Sequence, residues 1–276
     1  MPENELRREA LQAALEASGL WSEILTFDQI GSTNDVAKRW GRQGVPEGLV
    51  VVADEQTAGR GRLERRWIAP AGTSLLCSLL FRPDLPLDRA HQMTMISSLA
   101  AADAVDEVAR LPPALKWPND LVVSSATPEA RGAWRKLGGI LTETELTGDR
   151  LVFIVVGIGI NVNVPPGDLP AVDPNATSIL AETGETVDRT ELLLALLSGA
   201  EARYRALRQG VSPHQEWSER LATLGQRVTA QTSDGALHGV AEGVDPSGAL
   251  LLRTEDGSVR RLIAGDVSLS PPDRRR

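Results

Sequence analysis

Cysteine is almost absent: Cys77 stands alone in 276 residues. That excludes an intrachain disulfide framework and a thiolate zinc cluster, and it fits a reducing, cytoplasmic setting. Histidine is nearly as scarce. His91, His214 and His238 are scattered and sit near no other motif, so acid–base chemistry by histidine is not expected. Aromatic residues are few, with six Trp, three Phe and one Tyr, and aliphatic side chains must fill most of the core. No apolar run approaches the roughly 18 residues of a membrane-spanning helix. The first twenty residues lack a continuous apolar stretch and do not read as a secretory signal. Cations are outnumbered, 29 Lys+Arg against 37 Asp+Glu, for a net charge of -8. Affinity for nucleic acid comes mostly from cationic contacts to phosphate, so neither nucleic acid nor membrane is an expected partner. A local basic site stays open.

Familiar nucleotide and metal motifs are missing too. There is no GxxxxGK[ST] phosphate loop and no HExxH. Two GxG pieces occur, but Glu64 and Val162 stand where a dinucleotide fingerprint needs its third glycine.

What is present is an ordinary globular composition, 42% hydrophobic. The length suits one large domain or a large and a small one. Residues 5–18 read as a short amphipathic helix ended by Gly19. FDQIGSTNDVAKRW reads as a strand end followed by a helix with Ser32 or Thr33 as N-cap. Strands are expected at 49–53 and 74–81, with an aperiodic loop between them. Residues 88–110 are expected to be helical, stopped by Pro112-Pro113. Residues 116–123 read as a turn into a strand, and 124–135 as a loop. Residues 136–146 and 150–164 form an expected hairpin around Thr147-Gly148-Asp149. A Pro-rich loop follows, and a helix opens at Asp188 with a capping-box-like Glu191. After Leu224 short strands alternate with Gly-containing turns, which reads as a small all-β barrel of about 45 residues.

Five motifs carry chemistry. Gly59-Arg60-Gly61-Arg62 joins backbone freedom to planar cationic forks that suit phosphate or carboxylate. Lys136 precedes Gly138 and Gly139, where a backbone can come close to a ligand. Lys116-Trp117-Pro118-Asn119-Asp120 puts a cation, an amide and a carboxylate on one turn, a set that phosphate with magnesium would use. In Gly157-Ile-Gly-Ile-Asn-Val-Asn-Val164 the alternation is strict, with glycine and asparagine on one face. Ser32-Thr33-Asn34 offers small hydroxyls and an amide to a polar, uncharged ligand head. Taken singly, these fit equally well a solvated loop, a surface lysine, a capped turn, a packed strand and a helix cap.

Together and in this order the motifs resemble the biotin protein ligases, over about residues 25–269. Gln56-Thr-Ala-Gly-Arg-Gly-Arg62, Gly248-Ala-Leu-Leu-Leu252 and Ala264-Gly-Asp-Val-Ser268 extend the match. The resemblance implies an α+β fold: a central mixed β-sheet flanked by helices, plus a small C-terminal SH3-like β-barrel. It implies a catalytic domain over 1–222, the SH3-like domain over 223–270 and a disordered tail at 271–276. It implies an ATP- and Mg²⁺-dependent ligase that makes biotinyl-5′-AMP and passes biotin to a lysine of a biotin carboxyl carrier protein. Lipoate or octanoate ligation is the nearest alternative, and a biotin-responsive DNA-binding repressor is an alternative of another class.

By the same resemblance, Ser32, Thr33, Asn34, Gln56, Gly59, Arg60, Gly61, Arg62 and Lys136 are expected to hold biotin. Arg62 and Lys136 are the expected catalytic pair. Arg62, Arg65, Trp67, Lys116, Asn119, Asp120 and Asn161 are expected to face ATP. The metal ligands stay open, with Asp120 named for Mg²⁺. Three departures stand out. Glu64 replaces a glycine common in the family's loop, which is expected to alter that loop, with Arg65 and Arg66 beside it to compensate. The interval from Asp120 to Lys136 is long, so a tip around Pro128 is expected to protrude. No DNA-binding module precedes the first motif, so a monofunctional ligase is expected, as a monomer or a homodimer.

Overall fold

The structure is a computed structural model, and the residues described are 8–124, 134–232, 235–263 and 265–269. In the first part of the chain, α1 (Arg8–Ala17), β1 (Glu23–Ile30), α2 (Thr33–Arg42), β2 (Leu49–Gln56), β3 (Ser74–Phe81) and α3 (Gln92–Ala109) follow one another. Next come β4 (Ala114–Lys116), β5 (Asp120–Ser124), and the long pair β6 (Trp134–Thr147) and β7 (Arg150–Asn161). Four helices follow: α4 (Leu169–Val172), α5 (Ile179–Thr183), α6 (Arg189–Arg208) and α7 (His214–Glu219). Five strands end the chain: β8 (Arg227–Thr232), β9 (Gly235–Val244), β10 (Leu250–Thr254), β11 (Val259–Leu262) and β12 (Asp266–Leu269).

The first seven strands form one sheet in the order β1-β2-β3-β7-β6-β5-β4. Only β1 and β2 pair in parallel, which makes the sheet mixed. Both faces are covered, and the period of two shows how. Val50 and Val52 of β2 enter the core under α3 and α6, whereas Leu49 and Val51 pack beneath α2. On β7, Ile154, Val156, Ile158 and Ile160 take the α3–α6 side, and Phe153 and Val155 take the α2 side. Helix α2 ends its cover there, and the next residues on that face are Gly157, Gly159 and Asn161. Glycines in place of larger side chains leave room above the sheet there.

The C-terminal strands form an antiparallel sheet in the order β11-β10-β9-β8-β12. Its inner residues, among them Val228, Ala230, Leu250 and Leu252, are continuous with the main core. The contact with the large sheet is specific. The indole N–H of buried Trp117 donates to Gly248 O (2.9 Å), and its backbone N–H donates to Thr223 Oγ1 (2.9 Å). The ring nitrogens His91 Nε2 and His214 Nε2 lie 3.2 and 3.1 Å from Pro246 O and Val244 O. These two histidines therefore tie α3 and α7 to the C-terminal sheet, and neither lines the cavity.

Several boundaries move from expectation for local reasons. α3 starts at Gln92, after a 3-10 turn at Leu87–Arg89. It ends before the prolines, at Arg110, which takes a left-handed conformation and returns its N–H to Asp106 O. Asp188 caps α6 as expected, accepting from the N–H groups of Thr190 and Glu191 at 2.7 and 3.3 Å. The Pro-rich loop holds the short α4. The expected protrusion at Pro128, the tail at 271–276 and the side chain of Glu64 lie outside the described residues. Among the described residues no helix is long and apolar enough to cross a membrane.

Candidate functional site

A cleft lies on the exposed part of the α2 face, floored by Gly157 and Gly159 of β7 and Gly139 of β6. Each glycine makes room for a particular neighbour. A Cβ on Gly157 would lie 2.3 Å from Asn34 Oδ1, and one on Gly159 would lie 2.6 Å from the Trp67 ring. The sequence pattern suggested close approach by a ligand or a backbone. Here side chains from α2 and from the arginine-rich loop fill that space.

One end of the cleft is lined by amide and hydroxyl groups that are tightly bonded to one another. Ser32 sits at the N-cap position of α2 in an extended conformation, yet its side chain makes no capping bond. Thr33 N–H donates to Gln56 Oε1 at 2.8 Å, and Thr33 Oγ1 lies 3.1 Å from the same oxygen. Ser78 Oγ, from β3, lies 2.7 Å from Thr33 Oγ1 and 2.5 Å from Asn34 Oδ1. Asn34 Nδ2 donates to Glu143 Oε2 at 2.7 Å and to Leu141 O at 3.3 Å. Lys38 Nζ donates to the other oxygen of Glu143 at 2.6 Å. Burial raises the Glu143 carboxyl pKa, but the Lys38 and Asn34 bonds and the charges of Lys38 and Arg60 outweigh it and hold it below its ordinary value. Cys77 lines this end, with a thiol pushed up to about 12 by burial, so it stays protonated.

The other end is cationic. Lys136 Nζ lies 2.7 Å from Asp120 Oδ1, and Lys116 Nζ lies 3.7 Å from Asp120 Oδ2. Strict alternation along β6 would put Lys136 on the core side with Gly138 and Ile140. The pairing shows why it is not there. Asp120, Leu121 and Val122 of β5 face Gly139, Gly138 and Lys136, which leaves Leu137 unpaired as a β-bulge. The extra residue turns Lys136 onto the face of Asp120 and Gly139. Its backbone is also held, with Lys136 N–H donating to Asn175 O and Thr177 N–H donating to Lys136 O, both at 2.8 Å.

The arginine-rich segment is a tight hairpin rather than an irregular loop. Arg60 and Arg66 form a bridge, Gly61 N–H donates to Arg65 O (2.7 Å), and Trp67 N–H donates to Gly59 O (2.9 Å). Neither glycine of Gly-Arg-Gly-Arg takes a positive φ. Gly59 is needed because a Cβ would lie 2.7 Å from Trp67 O. The left-handed residue at the tip is Leu63 (φ 53°), beside the glycine-to-Glu64 departure. Arg60 makes two bonds to Asp35, at 2.7 and 2.6 Å, and approaches Glu143 at 3.6 Å. Arg62 Nη1 lies 3.4 Å from Asn119 Oδ1 and 3.3 Å from Gly265 O of the C-terminal sheet.

Most of the residues expected from sequence meet in this cleft: Ser32, Thr33, Asn34, Gln56, Arg60, Gly61, Arg62, Arg65, Trp67, Asn119, Asp120, Lys136 and Asn161. Gly59 and Lys116 stand back from its wall. Gly59 works through its backbone and Lys116 through Asp120. Asn119 Nδ2 is spent on Ile140 O at 2.7 Å. Sequence reasoning missed Ser78, Glu143, Asp35, Asp173 and Gly265. A lone serine between apolar neighbours in β3 was a usable signal for Ser78. Nothing local marks the others. Among the described residues, two buried polar atoms of wall residues lack a hydrogen-bond partner, Trp67 Nε1 and Asn161 Oδ1.

Residues 26–161 match the model of the biotin/lipoate A/B protein ligase family, and residues 223–270 match the biotin protein ligase C-terminal domain. The bifunctional ligase/repressor BirA of Bacillus subtilis is 33% identical over 267 residues, covering 96% of this chain and 79% of that protein. The biotin--[acetyl-CoA-carboxylase] ligase of Paracoccus denitrificans is 39% identical over 217 residues, covering 75% of this chain and 85% of that protein. Among solved structures, the biotin protein ligase of Aquifex aeolicus in complex with biotin and ATP superimposes with a TM-score of 0.72 at 28% identity. That match covers 91% of this chain and 99% of the other.

Proposed function

The chain belongs to the biotin/lipoate A/B protein ligase family, and from that premise we propose that it activates biotin with ATP as biotinyl-5′-AMP and transfers the biotinyl group to a carrier lysine. The observation that carries this reading is the polarity of the cleft. It has an uncharged amide–hydroxyl end at Thr33 and Gln56, and a cationic end at Arg62 and Lys136. Biotin has the same polarity, with a neutral ureido ring and a carboxylate tail.

The chemistry needs that second end. A carboxylate and a triphosphate repel each other, and attack on the α-phosphorus adds charge between them. Fixed cations stabilise that charge without reorganising at the moment of reaction. Lys136 faces the biotin carboxylate and Arg62 faces the carboxylate and the α-phosphate. Trp67 and Asn161, with their orphan buried atoms, take the nucleotide side with Arg65, Asn119 and Asp120. Mg²⁺ is bound largely through phosphates and water with one or two carboxylates. Asp120 fits that demand as a wall carboxylate that lies between Lys116 and Lys136. When bound, the ion neutralises phosphate charge.

Transfer consumes the mixed anhydride. The carrier lysine, at a reference pKa near 10.4, is neutral in only ~0.04% of molecules at pH 7. Holding the amine and the acyl carbon in attack geometry offsets much of that cost. The Arg60–Arg66 hairpin over the cleft slows loss of the anhydride to water. The acceptor is a lysine on a biotin carboxyl carrier protein, and the setting is the cytoplasm. Residues 1–222 form the catalytic domain and 223–270 the C-terminal domain, whose Gly265 carbonyl steadies Arg62.

An avidin blot tests the reading. The protein is mixed with biotin, ATP, Mg²⁺ and a carrier domain, beside Lys136→Ala and Arg62→Ala variants. Labelling should require ATP and fall by about a hundredfold or more in each variant, the scale for a lost charge stabiliser. Labelling without ATP, or undiminished in both variants, overturns the assignment.

A further inference from the structure

Lys136 sits where the large sheet runs short of partners. The β6–β7 ladder stops at Gly138 and Ile160, and on the other side the bulge at Leu137 interrupts the pairing with β5. Residues 175–177, between α4 and α5, take the place that β7 leaves. Ala176 forms a parallel bridge with Lys136. Lys136 N–H donates to Asn175 O and Thr177 N–H donates to Lys136 O, both at 2.8 Å. Asn161 Nδ2, at the end of β7, donates to Thr177 O at 2.9 Å. The same stretch brings Asp173 and Ala176 to the cleft wall.

A backbone hydrogen bond adds little net stability, so a bridge of one residue needs further support. Glu182 of α5 supplies it. Its Oε1 accepts from Arg135 Nη2 at 2.6 Å and from Thr177 Oγ1. Arg135 directly precedes Lys136, and Thr177 directly follows its bridge partner. One carboxylate oxygen therefore joins both strands of the bridge. The Glu182 side chain is 8% exposed, so water competes little for these bonds. Its own turn is anchored as well. Ser178 Oγ caps α5, accepting from Ala181 N–H at 3.0 Å, and donates to Val164 O at 2.7 Å.

We propose that Glu182 is a positioning residue for Lys136: by tying Arg135 to Thr177 it holds the bridge that aims the Lys136 ammonium into the cleft. The inference rests on the catalytic assignment of Lys136 and deepens it. Glu182 does not line the cleft and touches no substrate in this scheme. The Lys136 ammonium meets Asp120 Oδ1 at 2.7 Å and stands 5.8 Å from the centre of the Trp67 ring. Where those contacts fall depends on where the backbone of Lys136 is held. A fixed cation stabilises charge only at the point to which it is fixed, and a displacement of about 1 Å can cost about a hundredfold in rate.

Biotin-dependent ATP–pyrophosphate exchange tests this through a double-mutant cycle. Glu182→Ala removes both bonds, and kcat should fall by about tenfold to thirtyfold with the biotin KM within about threefold. Glu182→Gln keeps an oxygen in the place of Oε1 and should restore the rate to within about threefold of the native protein. Lys136→Ala leaves the backbone bridge but removes the group that is aimed. In that background Glu182→Ala should cost less than about twofold. Thr177→Val removes one of the two bonds at nearly constant shape, and serves where Glu182→Ala does not fold. It should cost about threefold to fivefold alone and less than about twofold beside Lys136→Ala. A loss that persists in full beside Lys136→Ala, or one that falls on both KM values with kcat intact, overturns the inference. Undiminished exchange in Lys136→Ala alone would instead overturn the reading on which it rests.

Discussion

The two ends of the cleft solve different problems. At the Thr33–Gln56 end the groups are neutral and bonded to one another in a defined order. At the Lys136–Arg62 end Lys116 and Lys136 share the single carboxylate of Asp120, and the wall remains net cationic. A neutral ring offers only donor and acceptor positions, so recognising it takes fixed directions. Two anions offer charge, so binding them takes fixed cations. Order belongs at one end and charge at the other.

The division breaks most visibly at Gly157. Alanine there would place a Cβ 2.3 Å from Asn34 Oδ1 and push that amide away from Ser78. Overpacking of this kind costs about 1–3 kcal/mol. Biotin affinity should fall by roughly tenfold to a hundredfold. ATP affinity, read by calorimetry, should stay within about twofold. Equal losses for both substrates would mean that the two ends are not separate.

Asp120→Asn probes the opposite end. Lys116 and Lys136 lose their shared anion, and the carboxylate assigned to Mg²⁺ is gone. ATP–pyrophosphate exchange should fall by about tenfold, chiefly through higher KM values for ATP and Mg²⁺. Biotin binding measured alone should change by less than about threefold. A larger drop in biotin affinity would tie Asp120 to the ring end and blur the contrast.

Legibility in the sequence differs between the two ends as well. β3 runs from Ser74 to Phe81 as its apolar run predicts, and the β6–β7 hairpin closes at Thr147 and Arg150. Local period and turn chemistry suffice for both. Lys136 was recognisable as a site residue but not its aim, which depends on a bulge at Leu137 created by pairing with β5. Glu143 looked like one more charge on a hairpin. It matters because β6 lies under α2, where Lys38 and Asn34 reach it. The Glu64 departure suggested an altered loop, but the left-handed turn falls on Leu63, which is 67% exposed. Each of these depends on pairing between distant segments, which no local pattern carries.

Acid titration gives the smallest effect and the finest test of the ordered end. The Asn34 amide at that end is held by an ionised Glu143, faced by Lys38 of α2, Arg60 of the hairpin and that amide, with Asp35 bonded to the same Arg60. The folded carboxyl lies below its ordinary 4.5, so its contribution is complete above that value and is lost only as pH falls through the lower folded value. Cys77, at about 12, adds no charge at neutral or mildly alkaline pH. Biotin affinity without ATP should therefore vary by less than about twofold between roughly pH 5 and pH 9. A decline centred at or above 4.5 would show Glu143 losing its proton no more readily than a free glutamic acid, and the Asn34 amide would then be held by something else.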